Sequence, residues 1–128
     1  MVELPQAIAG FIAAINDRDV EAAGRHLTED IVYHLTVPLP PVSGIADVLA
    51  ALGTPIGEAD KVSWEVSGWA RSGDQVFVER IDRFWFGDSE AAIECVGVFE
   101  LRDDRIAVVR DYGDLATWRE RKRAALAT

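Results

Sequence analysis

The spacing of apolar residues changes along the chain, from a helical period near the N-terminus to strict alternation in the second half. Ile8, Phe11, Ile12 and Ile15 are three or four residues apart, which predicts a helix with one buried face over Pro5–Ile15. Beyond residue 60, apolar and polar residues alternate, as is typical of half-buried strands. Short turn sequences divide this part into four predicted antiparallel strands.

Capping residues, prolines and β-branched residues place the other elements. Asp19 predicts the start of a second helix, with Val20, Ala23 and Leu27 facing inward, and three prolines after residue 37 predict a stiff loop. The remaining predicted elements are a strand over Ile31–Val37, a helix over Ile45–Leu52, a turn-rich link over Gly53–Gly57, strands over Lys61–Arg71, Gln75–Phe86, Ala91–Leu101 and Arg105–Tyr112, and a last helix from Asp114 to about Ala125.

This order of elements predicts an α+β fold. Helices gathered on one side of a curled, mainly antiparallel sheet enclose a conical cavity, which is a natural site for a small molecule. The 128 residues are expected to form one domain spanning residues 1–128.

Two charged residues interrupt an apolar strand face. Arg80 and Asp82 alternate with large apolar residues from Val76 to Phe86, so all of them share one face of the strand. Buried charge is costly unless it is paired, so a partner is needed, and Asp111 is the best candidate because its own strand face is mostly apolar. This pattern predicts a site, or alternatively an ion-pair cluster with a purely structural role.

Composition and charge exclude several classes of protein. The net charge of −9 argues against nucleic acid and anionic membranes as partners. The apolar run Ala7–Ile15 is too short to span a bilayer, and a single cysteine, Cys95, fits a reducing compartment, so we expect a cytoplasmic protein. Two scattered histidines and one cysteine have no metal-ligand spacing, so no metal is expected.

Three stretches of the chain carry a resemblance to a known family. They are Pro38–Gly44, Glu79–Asp82, and Gly97–Leu101 with its continuation Arg110–Leu115. In these stretches the chain resembles the limonene-1,2-epoxide hydrolases. The order of elements resembles the α+β cone that this family shares with nuclear transport factors, ketosteroid isomerases and SnoaL-like polyketide cyclases.

The resemblance implies an epoxide hydrolase that needs no cofactor and acts on a small apolar epoxide. It assigns Asp111 as the base that activates water, Asp82 as the acid that protonates the epoxide oxygen, and Arg80 as the bridge between them. Counting back from Pro38, the family's water-holding Tyr and Asn correspond to His34 and Thr36. Tyr33 is one residue away and reaches the same role through a β-bulge. The asparagine itself is missing, since Thr36 stands at its position. The expected walls of the apolar pocket are Phe84, Ile93, Cys95 and Trp118.

Two alternatives to hydrolysis stay open at this point. An isomerase or polyketide-type cyclase on the same cone would use Asp111 or Asp82 as its base and would not need a bound water. A non-catalytic module would hold an apolar ligand above a structural ion cluster. We also expect a homodimer, because Trp69, Phe77 and Trp85 are predicted to lie on the outer face of the sheet.

Overall fold

The computed structural model describes residues 3–128 of the chain. Within that range, no helix is long and apolar enough to cross a lipid bilayer. The helices are α1 (Gln6–Asn16), α2 (Val20–Gly24), α3 (Ile45–Glu58) and α4 (Leu115–Leu126). The strands are β1 (Leu27–His34), β2 (Val42–Ser43), β3 (Lys61–Ser72), β4 (Gln75–Phe86), β5 (Ser89–Arg102) and β6 (Arg105–Gly113).

One sheet contains all of these strands, in the order β2-β1-β6-β5-β4-β3. The strands from β3 to β6 form an antiparallel meander, whereas β1 pairs in parallel with β6. Apolar side chains of the helices pack on the inner face of this curled sheet in one core, which includes Ile8, Phe11, Val48, Phe99 and Val109. The predicted α+β fold is confirmed.

The first strand and the third helix have bounds different from those predicted. β1 begins at Leu27, which is buried in the sheet and not on α2, and it ends at His34. The predicted link Gly53–Gly57 is helical, because α3 continues through Pro55 to Glu58. Leu52 and Ile56 are four residues apart and both buried, so packing of this face offsets the hydrogen bond that the proline removes.

A β-bulge decides which aromatic side chains face outward. The register of β3 against β4 shifts between Val66 and Gly68, so Trp69 lies opposite the buried Val78 and packs against the core. The prediction that Trp69 belongs to the outer face is therefore wrong. Phe77 is 39% exposed, and the Lys61 ammonium lies 4.7 Å from the centre of the Trp85 ring. Pairing of two copies through this face stays a prediction.

Candidate active site

The inner face of the sheet brings together charged residues of β4 and β6, two strands separated by β5. Asp82 on β4 pairs with Trp64 on β3 and with Ile93 on β5. Arg80 pairs with Cys95, and Asp111 on β6 pairs with Gly97. Because alternate residues share a face, these pairings place Arg80 and Asp82 of β4 on the same face as Asp111 of β6, across β5.

Arg80 bridges the two aspartates. Its Nε and Nη2 atoms each donate to an oxygen of Asp82 at 2.9 Å. Its Nη1 and Nη2 atoms each donate to an oxygen of Asp111 at 3.2 Å. The planar guanidinium thus holds both carboxylates in fixed orientations, and it holds Asp82 by the shorter pair of bonds.

All three charged side chains are withdrawn from solvent. The Arg80 side chain is fully buried, and those of Asp82 and Asp111 are 9% and 13% exposed. Burial raises the pKa of Asp111 above its ordinary value, although the nearby Arg80 charge partly opposes this change. Burial alone would lower the pKa of Arg80, but the charges of Asp111 and Asp82 keep that pKa well above its ordinary value. The guanidinium is therefore a permanent cation.

Two further side chains contact the charged cluster. The Trp64 ring stacks on Arg80, with 4.4 Å between the guanidinium carbon and the ring centre. The Trp64 backbone is itself held in place by Asn16, whose amide oxygen accepts from its N–H at 2.6 Å. On the other side, the Cys95 thiol donates to Asp82 at 3.5 Å. Burial raises the pKa of this thiol, so Cys95 stays protonated and acts as a weak donor, not a nucleophile.

A cavity of about 180 Å³ opens next to the cluster. Most of its wall is apolar, while carboxylate oxygens of Asp82 and Asp111 are available on its inner side. Trp118 on α4 closes one side by packing on Phe84, with 4.9 Å between the ring centres. The other residues that line it are Tyr33, Leu35, Thr36, Leu52, Pro55, Trp64, Ile93, Cys95, Gly113, Asp114 and Leu115.

The end of β1 determines which polar groups reach Asp111. The register of β1 against β6 shifts between Leu27 and Val32, and beyond the shift Tyr33 is buried on the inner face opposite Val109. The buried Tyr33 hydroxyl has no partner at hydrogen-bond geometry, but it is close enough to Asp111 to lower the pKa of that carboxyl slightly. Tyr33 can therefore donate to a water or ligand oxygen held beside Asp111.

His34 is on the opposite face of β1 and does not line the cavity, so the expectation that it faces the site is not met. Thr36 does line the cavity, just beyond the strand. The backbone N–H of the next residue, Val37, donates to the carbonyl of Asp111 at 2.9 Å and ties this loop to the site.

Nine of the ten predicted site residues thus lie in the cavity wall or, for Arg80, directly behind it. Sequence reasoning missed Trp64, Leu35 just beyond β1, and the contribution of α3. The alternation of β3 carried a signal for Trp64, since the hairpin register places it opposite Asp82. Leu52 and Pro55 had no such signal, because a helix can approach a sheet from many directions.

Comparisons with known proteins agree with this fold. The family model of the limonene-1,2-epoxide hydrolase catalytic domain matches residues 2–122. Among solved structures, an LEH-like epoxide hydrolase from Mycobacterium tuberculosis is 24% identical, with a TM-score of 0.80 and coverage of 96% of this chain and 91% of that one. No curated protein matches the sequence.

Two other solved structures are similar in fold. The epoxide hydrolase/cyclase-like enzyme SalBIII, which has a role in pyran ring formation in the polyether salinomycin, is 18% identical, with a TM-score of 0.78 and coverage of 88% and 91% of the two chains. A protein described as a SnoaL-like polyketide cyclase, from Shewanella denitrificans OS-217, is 15% identical, with a TM-score of 0.80 and coverage of 93% and 96%.

Proposed function

Because the chain belongs to the limonene-1,2-epoxide hydrolase family, we propose that it adds water to a small apolar epoxide and releases a vicinal diol. The observation that carries this proposal is the buried Arg80 bridge between two carboxylates at the wall of an apolar cavity. Epoxide opening needs a base and an acid at the same time, and this site offers a carboxyl group for each.

In the proposed reaction, Asp111 removes a proton from water as the water oxygen attacks one epoxide carbon. The bond between that carbon and the ring oxygen breaks, and Asp82 gives its proton to the leaving oxygen. Asp111 ends protonated and Asp82 ionised, so one proton must move back before the next turnover. No covalent intermediate with the enzyme forms.

The charge balance of the cluster supports one proton shared between the two carboxyl groups. One cation, one carboxylate and one carboxylic acid have no net charge, which is the least costly ionisation of three groups removed from water. The raised pKa of Asp111 also makes it a stronger base towards water than an exposed aspartate.

The cavity sets the kind of substrate. Its volume of about 180 Å³ admits only a small molecule, and leucine, isoleucine and aromatic side chains form most of its wall. Apart from the two aspartates, the polar side chains that reach it are few, namely Tyr33, Thr36 and Asp114. We therefore propose a compact hydrocarbon epoxide with no charged group.

The test is turnover of a panel of cyclic and terpene epoxides in ¹⁸O-labelled water, with products identified by mass spectrometry. We expect a diol that carries one labelled oxygen. Diol formation that survives Asp111→Asn or Asp82→Asn would overturn the assigned roles, and a panel with no diol product would overturn hydrolysis.

A second candidate is cyclisation, in which a hydroxyl group of the substrate itself opens the epoxide. Leu35, two residues beyond Tyr33, presents an apolar side chain to the cavity, so hydrogen-bonding groups for a water are sparse on this side. A nucleophile tethered to the epoxide needs less positioning by the protein. A hydroxy-epoxide that gives a cyclic ether without ¹⁸O incorporation would favour this candidate over hydrolysis.

A further inference from the structure

The guanidinium of Arg80 lies against a strand position that has no side chain. A Cβ atom at Gly97 would lie 2.5 Å from Arg80 Nη1 and 2.7 Å from Asp111 Oδ1, and 3.0 Å from the Phe99 ring. The first two distances are far shorter than a van der Waals contact. Gly97 is therefore located beside the one hydrogen bond that joins Nη1 of Arg80 to Asp111.

Backbone conformation does not explain the glycine. Gly97 is not among the residues with positive φ, and it pairs regularly with Val78 on one side and Asp111 on the other. A glycine inside a strand costs stability, since it has no side chain to pack and loses more backbone freedom on folding. Space for the ion pair is the remaining physical reason for glycine at this position.

The guanidinium also has little room to retreat. On the β3 side it is stacked on the Trp64 ring at 4.4 Å, and on its own strand two bonds of 2.9 Å hold it to Asp82. A side chain at position 97 would push Nη1 and Asp111 Oδ1 apart, because Trp64 and Asp82 leave the guanidinium no other position. We propose that Gly97 is a positioning residue, whose missing side chain lets Arg80 reach Asp111 and so sets the strength of that carboxylate as a base.

A side chain at position 97 is expected to raise the pKa of Asp111. The charge and hydrogen bonds of Arg80 lower the pKa of Asp111, in opposition to burial. Moving Arg80 away weakens that effect while burial persists, so the pKa of Asp111 rises further. The catalytic part of this inference rests on the proposed function, whereas the electrostatic part does not.

The direct test is the pKa of Asp111 in Gly97→Ala, measured by NMR titration of its carboxyl carbon. The matched control is Gly68→Ala, since Gly68 is also a strand glycine without positive φ and a Cβ there would meet nothing within 4 Å. We expect the pKa to rise in Gly97→Ala and to stay at the wild-type value in Gly68→Ala. An unchanged pKa in Gly97→Ala would overturn the proposal.

Turnover provides the second measurement. Gly97 does not line the cavity, so substrate affinity is expected to change little. We expect kcat to fall by about 100-fold in Gly97→Ala, since displacement of a reacting group by about 1 Å has that effect, with KM within about twofold of wild type. The acid limb of the pH profile should move to higher pH. If wild type turns over no epoxide, hydrolysis fails while the titration still decides the role of Gly97.

A failure of Gly97→Ala to fold is resolved by combining it with Asp111→Ala. That second change removes Oδ1 and frees Nη1, so the added methyl group gains the space that the carboxylate occupied. We expect Gly97→Ala to lower the melting temperature much less in the Asp111→Ala background than in wild type. An equal loss in both backgrounds would assign the cost to Phe99 or the backbone and would contradict the proposal.

Discussion

Two arginines on opposite faces of β4 each bridge two carboxylates, yet they are in very different environments. Arg80 is buried on the inner face between Asp82 and Asp111. Arg83 is on the outer face, where it contacts Glu65 at 3.0 Å and Glu90 at 2.6 Å with 30% of its side chain exposed. Water and salt screen the outer pairs, whereas the inner cluster has little screening. The same arrangement of charges is therefore a surface feature on one face and the proposed reactive cluster on the other.

The largest expected difference between the two faces is in catalysis. Asp111→Asn and Asp82→Asn each remove a group with a proposed role in proton transfer, so each should lower kcat by about 10²- to 10⁴-fold. Glu90→Gln makes the same chemical change on the outer face and should leave kcat within about twofold, because that carboxylate is remote from the cavity. Kinetics with the best epoxide of the panel checks this, and a large loss in Glu90→Gln would contradict the contrast.

Truncation of Arg80 should lower the free energy of unfolding far more than truncation of Arg83. Arg80→Ala leaves two buried carboxylates without their cation and should cost about 3–5 kcal/mol in the free energy of unfolding. The measurement is urea unfolding followed by circular dichroism. A loss below about 1 kcal/mol would mean that the inner cluster is as well screened as a surface pair.

Stability and turnover should both depend on pH through the inner carboxyl group of Asp111. The folded-state pKa of Asp111 is raised above 3.8, so its charged form destabilises the folded protein. This cost is absent at low pH and appears as pH rises through the raised pKa. Relative to Asp111→Asn, wild type should therefore lose stability over that window. In kinetics, kcat/KM should rise with pH through a value above 3.8. Parallel stability curves for the two proteins would contradict the raised pKa.

The smallest expected effect is at Arg83. Arg83→Ala breaks two exposed ion pairs, which contribute little because water already solvates each partner. Its unfolding curve should nearly overlay that of wild type at physiological salt, and the small difference should shrink as salt is added. A loss of unfolding free energy that is independent of salt and as large as that of Arg80→Ala would show that the ion pairs on both faces stabilise the fold, and would contradict the contrast.

Much of this site was predictable from local pattern. Arg80 and Asp82 share a face because strand side chains alternate, and burial of that face demands a partner, which pointed to Asp111. The position of Trp118 followed from helical spacing after a capping Asp114. These inferences needed only the period of a strand or helix.

Predictions failed where register or packing intervened. The irregular pairing of β1 turned Tyr33 to the cavity in place of His34, and the bulge in β3 turned Trp69 to the core. A shift of one residue exchanges the two faces of a strand, and single-chain patterns do not reveal where such a shift occurs. The path of α3 through Pro55 likewise depended on burial of Leu52 and Ile56 against the sheet.

The sequence by itself determined the order of elements, the α+β class and the charged pair on an apolar strand face, because these follow from short-range periodicity and the cost of buried charge. Only the tertiary structure decided that Trp64 stacks on Arg80, that Tyr33 lies beside Asp111 and that Gly97 leaves room for the ion pair. Those contacts join residues far apart in the chain, and their distances depend on how five strands align.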